Sequence, residues 1–340
     1  MRSDNAAPFD EPDIGPPVPF DPELAAVLEA TAEAKSAIAV SNPLMWHRKA
    51  IAGVADLTDK ELSVDGTFAV SERAVPGPKD GDDISLLICL PTAATAPASA
   101  IYFIHGGGML AGTSRSRSLA PLALDVAAEL GSALISVEYR LAPEHPHPGP
   151  VEDCYAGLAW TVEHADELGI DPERVVVAGG SAGGGLAAAV ALLARDRDGP
   201  KPVGQLLHWP MLDDRNDTRS ARQMDGLGVW DRSANQVGWT ALLGSARGGA
   251  DVSPYAAPAR ADDLSGLPPA FIDVGSAETF RDEAVAYASR IWDAGGSAEL
   301  HVWPGGYHGF VSSAPQAALS RAAKAAVVPW LRRIVGQERG

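Results

Sequence analysis

Apolar and polar positions follow two different rhythms along this chain. Near the start, the alternating stretch TFAVSERAV (67–75) and the run DISLLICL (83–90) flank PGPKDGDD, and two β-type runs around turn residues predict a hairpin. Beyond it come unbroken apolar runs separated by helical stretches. The runs are AIYFIH (100–105), SALISVEY (132–139), RVVVAGG (174–180), VGQLLHWP (203–210), PAFIDVG (269–275) and AELHVWP (298–304). Segments such as LAPLALDVAAEL and VEDCYAGLAWTVEHADEL lie between them. Continuous apolar strands alternating with helices predict an α/β fold, with a mostly parallel central sheet covered on both faces.

Two regions depart from this rhythm. Residues 5–22 hold six prolines, an extended lead-in. At Asp21-Pro22-Glu23 an N-cap residue precedes a proline at the first helical position, and Leu24, Val27, Leu28 and Thr31 follow at helical spacing. This predicts a helix over about 21–39, with MWHRKAIAGVADL as a second, shorter helical piece. Between Pro210 and Leu267 the chain runs far longer than a normal crossover and carries Trp230 and Trp239. An insertion of that size is expected to form a lid or binding loop. The expected division is therefore 1–60 as an N-terminal segment joining a cap, 61–210 with 261–340 as the main domain, and 211–260 as the cap insertion.

Composition narrows the partners. The 340 residues carry a formal net charge of −17, which repels phosphate backbones and anionic lipid surfaces. No nucleic-acid or membrane partner is expected, and the question of a homodimer stays open. No window approaches about 18 consecutive apolar residues, and the acidic, proline-rich N-terminus lacks the apolar core of a secretory signal. Cys89 and Cys154, the two cysteines, sit in apolar runs and read as buried reduced thiols, so a cytoplasmic location is expected.

The chemistry centres on VVVAGGSAGGG (175–185), where five glycines crowd around Ser181. Each glycine in an element interior gives up roughly 0.5–1 kcal/mol relative to alanine. A G-x-S-x-G between a strand and the helical run LAAAVALLARD explains the expense as a sharp turn that lifts a nucleophilic hydroxyl clear of the sheet. A phosphate-binding loop would need a lysine after the glycines or a GxGxxG opening, and neither is present. His105-Gly106-Gly107-Gly108 ends an apolar strand and leaves backbone N–H groups unobstructed for a developing oxyanion. His105 itself is expected to hold that loop by hydrogen bonding. Of the eight histidines, His308 lies in the glycine-rich loop after the last strand and is last in chain order, where a base is expected. His145 and His147 form an H-x-H pair without carboxylates or cysteines at ligand spacing, so no metal or organic cofactor is implied. The acid is sought after PAFIDVG among Asp273, Glu278, Asp282 and Glu283. Asp273 lies inside the strand, while Asp282 and Glu283 fall in a first helical turn, where carboxylates commonly satisfy the dipole. Glu278, in the loop, is the first choice. Trp46, Met109, Trp209 and Trp230 are the expected substrate contacts.

Taken together, these motifs resemble the hormone-sensitive-lipase-like carboxylesterases, a branch of the α/β-hydrolase superfamily. The resemblance covers about residues 80–320: HGGG at 105–108, YRLAPEHPHPGPVEDCYAGLAW at 139–160, GGSAGG at 179–184, ETFRDE at 278–283 and HGF at 308–310. It implies an α/β-hydrolase fold with a helical cap, and Ser181 as nucleophile, His308 as base and Glu278 as acid. It also implies an oxyanion hole from the N–H groups of Gly106, Gly107 and Ala182. Two departures stand out: Gly180 precedes the nucleophile where many members carry Asp or Thr, and Glu278 replaces a commoner Asp. The implied activity is hydrolysis of carboxylic esters of small molecules through an acyl-enzyme, and short to medium acyl chains are expected because Trp46, Trp230 and Trp239 would fill a closed cap. An amidase or lactonase with the same triad, or a non-catalytic receptor on the same fold, are the alternative readings.

Overall fold

The computed structural model describes residues 14–36, 43–52, 55–78, 82–94, 97–117 and 120–337. Eight strands form one sheet: β1 (Phe68–Val75), β2 (Ile84–Pro91), β3 (Ala98–Ile104), β4 (Ala133–Glu138), β5 (Ile170–Gly180), β6 (Gly204–His208), β7 (Ala270–Gly275) and β8 (Ala298–Trp303). Their order is β1-β2-β4-β3-β5-β6-β7-β8. The predicted hairpin is β1 against β2, antiparallel, and β2 also runs antiparallel to β4. From β4 through β8 every pairing is parallel. The apolar runs were continuous for the reason expected: all seven residues of β3 are buried, because both faces of the sheet are covered.

The alternation of β3 shows which helix covers which face. Ile101 and Phe103 meet Leu122, Ala123 and Val126 of α4 (Ala120–Leu130). Tyr102, between them, points the other way and donates its hydroxyl to the Cys154 carbonyl of α5 (Gly149–Glu163) at 2.8 Å. On the first face α12 (Ala318–Ile334) packs beside α4, and on the second α7 (Ala182–Asp196) packs beside α5. Both cysteines are buried free thiols, and burial pushes Cys89 up to about 12. β5 starts four residues before the predicted run, since Ile170 pairs with Ala98 ahead of a register shift. Pro172, which lacks a ladder donor, falls in that irregular stretch.

The remaining helices are α1 (Pro22–Ser36), α2 (Pro43–Ala52), α3 (Asp59–Leu62), α6 (Ala165–Leu168), α8 (Arg219–Gln223), α9 (Arg232–Leu243), α10 (Arg281–Asp293) and α11 (Phe310–Ser313). Among them, α10 packs against β7 and β8. The last three residues of the predicted first helix lie outside the described residues. The long interval after β6 contains α8 and α9, and α2 packs against α9. Among the described residues no helix is long and apolar enough to cross a membrane.

Connections leave β3 for β4 on one side and reach β5 on the other, so the sheet has its switch point between β3 and β5. The register aligns Ile104 with Gly179, Gly180 with His208, and His208 with Asp273. The loops after β3, β5, β6 and β7 therefore leave the sheet side by side, at the edge where open α/β sheets bind their ligands.

Candidate active site

Ser181 follows the last residue of β5 and precedes α7, with φ 59° and ψ −124°. A non-glycine residue in such a conformation stores strain of order 1–3 kcal/mol and needs surroundings that enforce it. Three backbone hydrogen bonds do so. The Ser181 N–H donates to the His208 carbonyl at 2.9 Å, while the Ser181 carbonyl accepts from Met211 and Gly185, both at 3.0 Å. The glycines are needed because strand and helix pass too closely for side chains. A Cβ on Gly179 would lie 2.2 Å from the Gly183 carbonyl oxygen, and one on Gly183 would lie 2.0 Å from that of Ile104.

His308 lies in the loop after β8, its Nε2 2.9 Å from Ser181 Oγ. Its Nδ1 is 2.8 Å from Glu278 Oε2, in the loop after β7. All three side chains are buried. Burial raises the Glu278 carboxyl above the usual carboxylate range, and the hydrogen bond from His308 opposes that rise. The other candidate carboxylates are engaged elsewhere. Asp273 Oδ1 is 2.6 Å from His208 Nδ1, and its Oδ2 accepts from Trp303 Nε1 at 3.1 Å. Asp282 accepts from the Ser220 N–H at 2.7 Å and pairs with Arg281. Glu283 accepts from the Leu212 N–H at 2.7 Å.

The loop after β3 turns back sharply. Gly107 has φ +113°, and a Cβ there would lie 1.9 Å from the Ala111 carbonyl oxygen. Its own carbonyl accepts from the N–H groups of Leu110 (3.0 Å) and Ala111 (3.3 Å). Among the described residues no hydrogen bond engages the N–H of Gly106, Gly107 or Ala182. Ala182 opens α7, where the helix dipole favours negative charge. His105 Nδ1 lies 2.9 Å from the Gly106 carbonyl, and the ring stacks on Tyr139 at 4.1 Å. Burial lowers its pKa to about 4, so it is a neutral ring that steadies the loop.

Aromatic rings surround His308. Trp209 (φ 33°) and Trp230 each lie 6.4 Å from it, centroid to centroid, and both are buried. Phe280 meets the imidazole edge-on at 5.0 Å; nothing in the sequence set this residue apart from a helix-opening hydrophobe. Trp230 covers the loop glycines, because a Cβ on Gly108 would come within 2.5 Å of its indole. Met109 is fully buried, with φ 61°. Trp46 falls in α2, and its side chain lies outside the described residues. Among the described residues, no cluster of three His, Cys, Asp or Glu side chains could hold a metal ion.

Glu283 has a measurable signature of its own. It is buried, its Oε2 has no hydrogen-bond partner among the described residues, and burial lifts its pKa well above the ordinary value. A carboxyl raised in this way favours folding at low pH, and that contribution drains away as pH rises from the unfolded-state value toward the folded one. Glu283→Gln keeps the shape and the acceptor for Leu212 but cannot ionise. Its unfolding free energy, measured in urea at pH 5, 7 and 9, is expected to fall less with rising pH than that of the wild type. Parallel slopes for the two proteins would contradict this.

Comparison with known proteins adds a second line of observation. A family described as alpha/beta hydrolase fold matches residues 101–312. Carboxylesterase NlhH of Mycobacterium tuberculosis is 37% identical over 251 residues, spanning 72% of this chain and 76% of that one. A solved structure titled Bacterial Heroin Esterase superposes with a TM-score of 0.82 at 39% identity, covering 93% of this chain and 98% of that one. Human hormone-sensitive lipase matches a shorter block, 41% identical over 120 residues, 35% of this chain and 11% of that protein.

Proposed function

Because this chain belongs to the α/β-hydrolase family, in its hormone-sensitive-lipase-like branch, and is a carboxylic ester hydrolase, we propose that it cleaves short- to medium-chain esters through an acyl-enzyme on Ser181. The observation that carries this reading is the unbroken line from Ser181 Oγ to His308 Nε2 and from His308 Nδ1 to Glu278, with steps of 2.9 and 2.8 Å. His308 Nε2 accepts the Ser181 proton as Oγ attacks the ester carbonyl. Its Nδ1–H donates to Glu278, which fixes the tautomer and stabilises the imidazolium. The N–H groups of Gly106, Gly107 and Ala182 receive the oxyanion. His308 then returns the proton to the leaving alcohol, and water repeats the sequence on the acyl group.

The preference for shorter acyl chains is supported by the enclosed surroundings. Trp209, Trp230 and Met109 are buried around the site, and Trp239 is buried in α9. We read residues 1–60 and 211–260 as the cap that supplies this enclosure. A panel of p-nitrophenyl esters from acetyl to palmitoyl tests the proposal: kcat/KM is expected to peak at short or medium chains and fall for the longest. Faster turnover of long-chain triglyceride emulsions than of soluble short esters would overturn it.

A further inference from the structure

Arg48 of α2 stands apart from the Ser181–His308–Glu278 line, yet its guanidinium reaches the loop that carries the proposed oxyanion donors. Its Nε donates to the Leu110 carbonyl at 3.0 Å, and a terminal nitrogen donates to the Ala142 carbonyl at 2.7 Å. Both terminal nitrogens engage the Glu144 carboxylate. The two carbonyls belong to residues whose own N–H groups brace the glycine loop. Leu110 donates to the Gly107 carbonyl at 3.0 Å, and Ala142 donates to the Met109 carbonyl at 2.9 Å. Among the described residues no other side chain donates to either the Leu110 or the Ala142 carbonyl. One guanidinium therefore ties together the two segments that hold the chain from Gly107 to Met109.

The same helix touches the site on another side. The His47 ring lies 5.3 Å from that of Trp230, the indole resting against Gly108 and facing His308. Arg48 and Glu144 sit in an open groove of about 740 Å³ that the buried Leu110 and Ala111 also line. A solvent-accessible ion pair of this kind contributes little to global stability. What the planar fork adds is direction: fixed donors aimed at two carbonyls and a carboxylate at once, which a lysine ammonium cannot reproduce.

We propose that Arg48 is a positioning residue that sets the oxyanion loop in its reactive geometry, so that docking of α2 and completion of the oxyanion hole are one event. This rests on the ester-hydrolysis reading, and wild-type turnover of an ester establishes that part before any variant is compared. The test measures kcat and KM on p-nitrophenyl acetate, inhibition by a trifluoromethyl ketone (which forms a tetrahedral oxyanion on the serine) and the thermal midpoint. The variants are Arg48→Ala, Arg48→Lys and Glu144→Gln. Displaced donors weaken the transition state more than the ground state, so Arg48→Ala is expected to lose about 10- to 100-fold in kcat with KM within about threefold. Affinity for the ketone should fall by a similar factor. Arg48→Lys should recover only part of the loss, and Glu144→Gln, which loosens the fork without removing it, should fall between. A raised KM with unchanged kcat and unchanged ketone affinity would overturn the proposal, because α2 would then only enclose substrate. So would wild-type kinetics in all three variants. Should Arg48→Ala fail to fold, the Lys and Gln variants decide by the same split between kcat and KM.

Discussion

Ser181→Ala is expected to lose on the order of 10⁶ in kcat on any ester the wild type hydrolyses, the scale found when a triad nucleophile is removed. The fold should survive, because alanine keeps the same Cβ in the same strained conformation and no buried partner other than His308 loses a hydrogen bond. An organophosphate supplies the complementary measurement. Its phosphorus accepts attack by the same oxygen, so full inactivation of the wild type should place one phosphoryl group on the peptide containing Ser181, and the alanine variant should stay unlabelled. Complete inactivation with Ser181 unmodified would remove it as the nucleophile.

The second large effect is expected at Glu278. Gln keeps the shape but offers His308 Nδ1 the wrong tautomer and leaves the imidazolium without a counter-charge, a change that costs about 10⁴ in kcat at the acid of such a triad. Asp273→Asn should leave kcat far less affected and act on stability instead, since the hydrogen bonds of Asp273 to His208 and Trp303 are each of roughly 1–3 kcal/mol. Asp282→Asn weakens the contact to the Ser220 N–H and the ion pair with Arg281, each about 1 kcal/mol or less. Three purified variants compared at one pH, each shown folded by circular dichroism, separate these outcomes. If Asp273→Asn were the crippled variant while Glu278→Gln kept most of its rate, the third member of the triad would be wrong. Acid should depress kcat/KM in the wild type, because Glu278, raised by its burial, picks up a proton earlier than a surface carboxylate does as pH falls and then offers the imidazolium no counter-charge.

Much of this architecture is legible in the sequence because it depends on neighbours in the chain. The strand period, the glycines that let β5 and α7 pass within contact, and the loop after each strand are local properties, and they point to Ser181 and His308, with Glu278 as first choice among four carboxylates. What stays hidden depends on register between distant segments. His208 and Asp273 are ordinary strand residues until the parallel pairing of β6 with β7 sets them opposite each other. That pairing explains why Asp273 turns toward His208 and Trp303, where the sequence supports only the weaker statement that it comes too early. Arg48 is equally silent: MWHRKAIAG shows a helical piece with three basic residues, and nothing in it points to Leu110 and Ala142, far along the chain. The aromatic lining is half legible, since a tryptophan in a long insertion suggests a lid, but its aim at His308 is a matter of packing.

The order of strands along the sheet also has a consequence in time. β5, β6, β7 and β8 lie beside one another in the order in which they are synthesised, and the three side chains of the line sit after the first, third and fourth of them. A chain growing from its N-terminus can set the elbow, with β3 and β4 already beside β5, long before His308 exists. Nascent or truncated chains ending ahead of β8 would thus hold a primed serine with no base, chemically quiet toward the esters around them. On the proposed Ser181–His308–Glu278 line, turnover would wait until the last strand docks, so the appearance of activity would report a late step of folding.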